Sequence, residues 1–108
     1  MTAVVVLTTV PVSFDARGLA RQLVGERVAA CVNIVERLTS IYRWKDAIEE
    51  EGEQLLIIKS ASDRLEDLRE NLLARHPYEV PEFIVISPAD VAGTYLEWLV
   101  SAVSPAGT

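Results

Sequence analysis

His76-Pro77-Tyr78-Glu79-Val80-Pro81-Glu82 separates a helical pattern from a strand pattern, and the fold follows from how that break is read. Pro77 and Pro81 lack a backbone N–H, and each pushes the residue before it out of the α region. A helix running into this stretch therefore ends near His76, and the next strand starts no earlier than about Pro81. The result is a stiff, extended connector that carries the chain's one His, a Tyr and two carboxylates. It serves either as a rigid helix-to-strand turn or as a platform for polar groups that bind something.

Upstream of the connector, Leu65, Leu68, Leu72 and Leu73 form the apolar stripe of a helix. Asp63 and Glu66 have the spacing of a capping box at its start, with Asp in place of Ser or Thr. Downstream, Phe83-Ile84-Val85-Ile86 reads as a strand closed by Pro88, and Asp90 to Thr94 leads into a last helix. Leu96, Leu99, Val100 and Val103 give that helix its spacing. Residues 104–108 read as a flexible tail beyond a single domain of residues 1–103.

Further out, two strands form a hairpin before the Leu-rich helix. Val32, Ile34, Leu38, Tyr42 and Trp44 share one parity between Cys31 and Trp44, which predicts one long strand with these residues on one face. Lys45-Asp46-Ala47 is the reversal, and residues 48–60 return as the partner strand. Both strands exceed the usual 5–6 residues or so, so the hairpin tip projects beyond a small sheet. The acidic run Glu49-Glu50-Glu51-Gly52-Glu53 reads as a solvated edge that blocks unwanted pairing. At the start of the chain, Ala3 to Val10 is a β-branched run suited to a central strand. Ser13 is placed to cap a following helix striped by Ala16, Leu19, Ala20, Leu23 and Val24, with Asp15 favourable to its dipole. Gly18 weakens that helix by somewhat under about 1 kcal/mol.

The order is βαβ, βαβ, α. Right-handed crossovers turn two split βαβ units into a four-stranded antiparallel sheet of order 4-1-3-2, an α+β, ferredoxin-like βαββαβ domain with a C-terminal helix and an extended hairpin. Helices on one face leave the other face open, and that open face predicts an oligomer.

Ten basic against sixteen acidic side chains give a net charge of −6. That sign argues against nucleic acid as a partner, which calls for a basic footprint, and against a polybasic membrane-surface protein. No apolar run approaches the roughly 20 residues of a membrane span. The N-terminal run reads as a first strand and not a signal peptide. A lone cysteine, Cys31, rules out an intrachain disulfide and fits a reducing, cytoplasmic setting.

Four segments together closely resemble the CutA family: Ala29-Ala30-Cys31-Val32-Asn33-Ile34, Ser40-Ile41-Tyr42-Arg43-Trp44-Lys45, Glu53-Gln54-Leu55-Leu56-Ile57-Ile58-Lys59-Ser60, and the His76–Glu82 connector. Asp46 departs from the family pattern, which usually has Gly after the Trp-Lys pair. The resemblance implies a homotrimer of PII-like architecture, with the long hairpins packing subunit on subunit, and a role in tolerance of divalent metal ions, copper above all. Animal relatives are linked to anchoring of acetylcholinesterase. Family membership thus implies an architecture more firmly than a mechanism.

For metal, the candidate ligands are His76, Glu79, Glu82 and Cys31, since thiolate and imidazole suit copper and carboxylates complete a shell. No pair has a diagnostic spacing. Cys31 and His76 begin at opposite ends of antiparallel strands, so only a contact between subunits would bring them to one ion. The structural alternatives are a small buried thiol at Cys31 and a helix C-terminal His76 facing the last carbonyls. Tyr42, Trp44 and Tyr78 are expected as interface anchors, with Arg43 and Lys45 pairing to a neighbouring subunit's acids. Lys59 is placed for a cleft at the trimer interface. With one His and no G-x-S-x-G or phosphate-cradling loop, no catalysis and no required cofactor are expected, Cu(II) or another divalent ion being the ligand of choice. A PII-like sensor of a small anionic metabolite and a trimeric scaffold for a protein partner are the competing readings.

Overall fold

The computed structural model describes residues 2–105. Its elements are β1 (Ala3–Pro11), α1 (Ala16–Gly25), β2 (Cys31–Trp44), β3 (Ala47–Ala61), α2 (Leu65–Arg75), β4 (Ile84–Ile86) and α3 (Gly93–Ala102), with a 3-10 turn over Ser62–Arg64. The four strands form one antiparallel sheet of order β2-β3-β1-β4. This is the ferredoxin-like arrangement that the βαβ reading predicts.

Strand parity explains the core. Val6 and Val10 of β1 and Leu56 and Ile58 of β3 point to one face and are fully buried, where Leu19 and Leu23 of α1 and Leu68 and Leu72 of α2 cover them. Leu73, expected in the α2 stripe, is exposed. The third helix packs elsewhere: Leu99 and Val103 bury against Ala3 and Ala61, whose odd parity is that of the opposite face. The helices therefore do not all share one face, and α3 closes one end of the side left open by α1 and α2.

Several local expectations are corrected. The cap of α1 is Asp15, not Ser13; its Oδ1 accepts the Gly18 N–H at 3.0 Å. A Cβ at position 18 would collide with that carboxylate, so Gly18 lets the cap close over the first turn. No capping box forms at α2. Asp63 sits in the 3-10 turn, and Arg64, at the N-cap position, makes an ion pair with Asp67 at 2.7 Å. β4 begins at Ile84, and the Phe83 ring lies instead 4.8 Å beneath the Arg69 guanidinium.

The largest correction concerns β2. Val35 pairs with Leu55 and Leu38 with Glu53, so β2 holds one extra residue at Glu36–Arg37, a β-bulge. The bulge inverts parity. Val32 and Ile34 face the helices, paired with Ile58 and Leu56, whereas Leu38, Ser40, Tyr42 and Trp44 lie on the open face beside Glu53, Glu51 and Glu49. The five apolar residues expected on one face are thus divided between two. Of the acidic run, Glu53 pairs with Pro11 of β1 and is only 6% exposed, whereas residues 49–52 lie beyond the end of β1 and keep the free side expected of them.

Lys45 and Asp46 both have positive φ, 49° and 65°, the backbone of a two-residue primed hairpin turn. Arg27 (φ 60°) closes α1 in a Schellman arrangement, with Val28 N–H donating to the Leu23 carbonyl and Arg27 N–H to that of Val24. Of the expected tail, Ser104 is tied down, its Oγ donating to the Val100 carbonyl at 3.0 Å; residues 106–108 lie outside the described residues. Among the described residues, no helix is long and apolar enough to cross a membrane.

Candidate functional site

The proline-stiffened connector folds back over the open face of the sheet, and the space it leaves is a cavity of roughly 470 Å³. One wall is the hairpin, with Ser40, Tyr42 and Trp44 from β2 and Glu53 from β3. The connector supplies Tyr78, Glu79, Val80 and Glu82, and Thr9 of β1 completes the lining. The bulge makes this possible, since without it Tyr42 and Trp44 would point away from the connector.

His76 anchors the connector. β4 pairs with β1 only over Val5 to Leu7, and the His76 ring serves the stretch of β1 that β4 does not reach. Nδ1 accepts the Tyr78 backbone N–H at 3.1 Å, so Nδ1 carries no proton. Nε2 then bears the hydrogen and donates to the Thr9 carbonyl at 3.1 Å, with Thr8 Oγ1 at 3.0 Å. Burial lowers its pKa from the ordinary 6.5, against smaller raising effects of the Thr9 hydrogen bond and the Glu53 charge. Both ring nitrogens are occupied within the chain, and the ring is held neutral.

Glu53 is the residue that sequence reasoning missed. Its Oε2 accepts a short hydrogen bond from the Tyr78 hydroxyl. Burial, then that hydrogen bond and the Glu53 charge, push the Tyr78 phenol far above its usual range. Burial and then repulsion from Glu53 also raise the Glu82 carboxyl. The available signal was parity: Glu53 alternates with Leu55 and Ile57 on one face of β3 and is the last of the acidic run before the apolar one.

The remaining candidates fall into place around this cavity or away from it. Glu79 and Glu82 line it, but His76, though adjacent, spends its nitrogens on backbone and Thr8. Cys31 lies on the row Cys31–Lys59–Val5–Ile86, its Sγ 3.9 Å from Asn33 Oδ1, well removed from the Thr8–Thr9 level where His76 sits. Lys59 shares that row, six residues along β3 from Glu53 or about 20 Å, and does not reach the cavity within one chain. Lys45 Nζ stands 5.7 Å from the Trp44 ring centroid, while Arg43 lies exposed near the tip, paired across the hairpin with Ile48. Among the described residues, no three His, Cys, Asp or Glu side chains converge as a metal shell does.

A family model described as "CutA1 divalent ion tolerance protein" matches residues 4–102. A divalent-cation tolerance protein CutA from Thermus thermophilus is 48% identical over 95 residues, covering 88% of this chain and 92% of that protein. Among solved structures, a divalent cation tolerance protein (Cut A1) from Thermus thermophilus superposes with a TM-score of 0.89 at 45% identity, over 95% of this chain and all (100%) of that one. A protein from Archaeoglobus fulgidus, described as a periplasmic divalent cation tolerance protein CutA, superposes with a TM-score of 0.90 at 27% identity, over 95% and 100% of the two chains.

Proposed function

The chain belongs to the CutA family of divalent ion tolerance proteins, and from that premise we propose that it serves the response to divalent metal ions, copper foremost. In this reading it is a cytoplasmic, non-catalytic homotrimer of PII-like architecture that binds the ion weakly or shapes its handling indirectly. The observation that carries the weak or indirect form is the double engagement of His76, the best copper ligand in the connector by chemistry, inside its own chain. Glu79 and Glu82 are left as carboxylate donors alone, and carboxylates without imidazole or thiolate hold copper loosely.

Assembly is supported by shape and surface. The chain measures 48 × 27 × 22 Å with a radius of gyration of 14.7 Å, above the roughly 13 Å of a compact domain of this length. Val35, Ile84 and Ile86 stand exposed on the open face, where a second copy would cover them. The cleft carries Glu53, Glu79 and Glu82, a sign of charge that disfavours an anionic metabolite there.

Calorimetric titration with buffered Cu(II), wild type beside His76→Ala, tests the metal reading. Weak binding, or none, that is the same in both proteins is expected. Saturable binding with a fixed number of ions per assembly, lost in the variant, would make His76 a ligand and overturn it.

A further inference from the structure

We propose that the cleft between the hairpin and the connector binds a small organic ammonium ion, held by the Glu53 and Glu82 carboxylates and the Tyr42 and Trp44 rings. The first ground is Glu53. It is 6% exposed, the hydrogen bond it accepts comes from a neutral phenol, and no cation among the described residues forms an ion pair with it. A carboxylate taken out of water without a counter-charge is costly, so the site calls for a positive group.

The second ground is the cavity itself. At roughly 470 Å³ it is far larger than a bare ion and lies within the range of small-ligand sites. Its aromatic members suit an alkylated cation, because ring faces attract ammonium groups and pack against their methyl groups or methylenes. Trp44 already draws the Lys45 ammonium to within 5.7 Å of its ring centroid, and Lys45 is not part of the cavity lining. A divalent metal would want several oxygens closing at once, whereas an ammonium needs one or two carboxylates and a ring. Glu82 and Glu53 also repel one another across this space, and a cation between them converts that repulsion into two attractions.

The inference goes beyond the metal-tolerance reading and fails independently of it. The assembled, full-length protein is titrated with choline at constant ionic strength, in a Trp98→Phe background that leaves Trp44 as the one tryptophan. The control ligand is the uncharged isostere in which carbon replaces the ammonium nitrogen. A saturable change in Trp44 emission with choline is expected, about tenfold weaker for the isostere and about tenfold weaker in Glu53→Gln. Should Glu53→Gln not fold, Glu82→Gln and Tyr42→Leu are read in its place, each weakening choline several-fold. Equal response to choline and its isostere, choline binding untouched by these substitutions, or no saturable response overturns the proposal. So does Glu53→Gln dissociating an assembly that choline does not bind, since a second copy of the chain then supplies the counter-charge.

Discussion

At His76 the hydrogen bonds fix the protonation state. The Tyr78 N–H can only donate, so a proton on Nδ1 breaks that contact, and burial already disfavours the charged ring. The folded imidazole therefore has a pKa below the ordinary 6.5, and the unfolded chain takes up the proton more readily. The stability that this neutral ring contributes is complete above pH 6.5 and is lost as pH falls below it toward the folded value. Thermal unfolding across that window should show a falling midpoint for the wild type and a shallower fall for His76→Ala. The variant itself should be less stable by about 1–3 kcal/mol, since the Thr9 carbonyl and Tyr78 N–H lose their partner. Glu82 acts oppositely. Its raised pKa gives a contribution present below the ordinary 4.5 and lost as pH rises through the folded value, so the two groups bend the pH profile in opposite directions. At this scale the sequence marked the connector but not its chemistry: the single His and the two prolines were plain, while the Thr9 carbonyl and Glu53 came from distant strands.

The elements were legible wherever one residue pattern met one face. The β-branched run of β1, the Leu65, Leu68 and Leu72 stripe of α2 (without Leu73) and the proline-bounded connector appear where the residue pattern placed them. Legibility failed at β2, where counting by twos carries across the bulge without noticing the extra residue. Helix starts failed for a related reason, because Ser13, Asp15 and Asp63 offer more caps than the backbone uses. The turn at Lys45-Asp46 was located correctly, and its backbone carries a testable strain. Asp tolerates a left-handed φ better than most residues, yet Gly adopts it without a Cβ penalty. Asp46→Gly should stabilise the protein by about 0.5–1 kcal/mol, read as a higher urea midpoint at unchanged slope. A lower midpoint would show that the Asp46 side chain supports the turn beyond its backbone.

For the whole molecule, the accessible surface of 6635 Å² exceeds the roughly 5900 Å² of a compact monomer of this mass. The sheet order and the α1–α2 layer could be argued from the chain alone, but the packing of α3 on the other face could not, because it depends on contacts with Ala3 and Ala61 far away in the chain. Sedimentation at micromolar concentration should return a stable trimer. Trp44→Ala should loosen it if that ring is an anchor; an intact assembly that binds choline more weakly by calorimetry would assign the ring to the cleft. The bulge at Glu36–Arg37 also has a consequence for how this chain can change in length. A single-codon deletion there removes the extra residue: Glu36 then faces Gln54, Leu38 keeps its partner Glu53, and Tyr42 and Trp44 stay on the open face. Deleting Arg37 should therefore leave the rings in the cleft wall, and loss of the cleft would show that the bend and twist of the bulge, not its parity, shape it. Lengthening or trimming the hairpin beyond the bulge preserves its wall only in paired steps, two residues per strand, so its reach is quantised while its orientation is inherited.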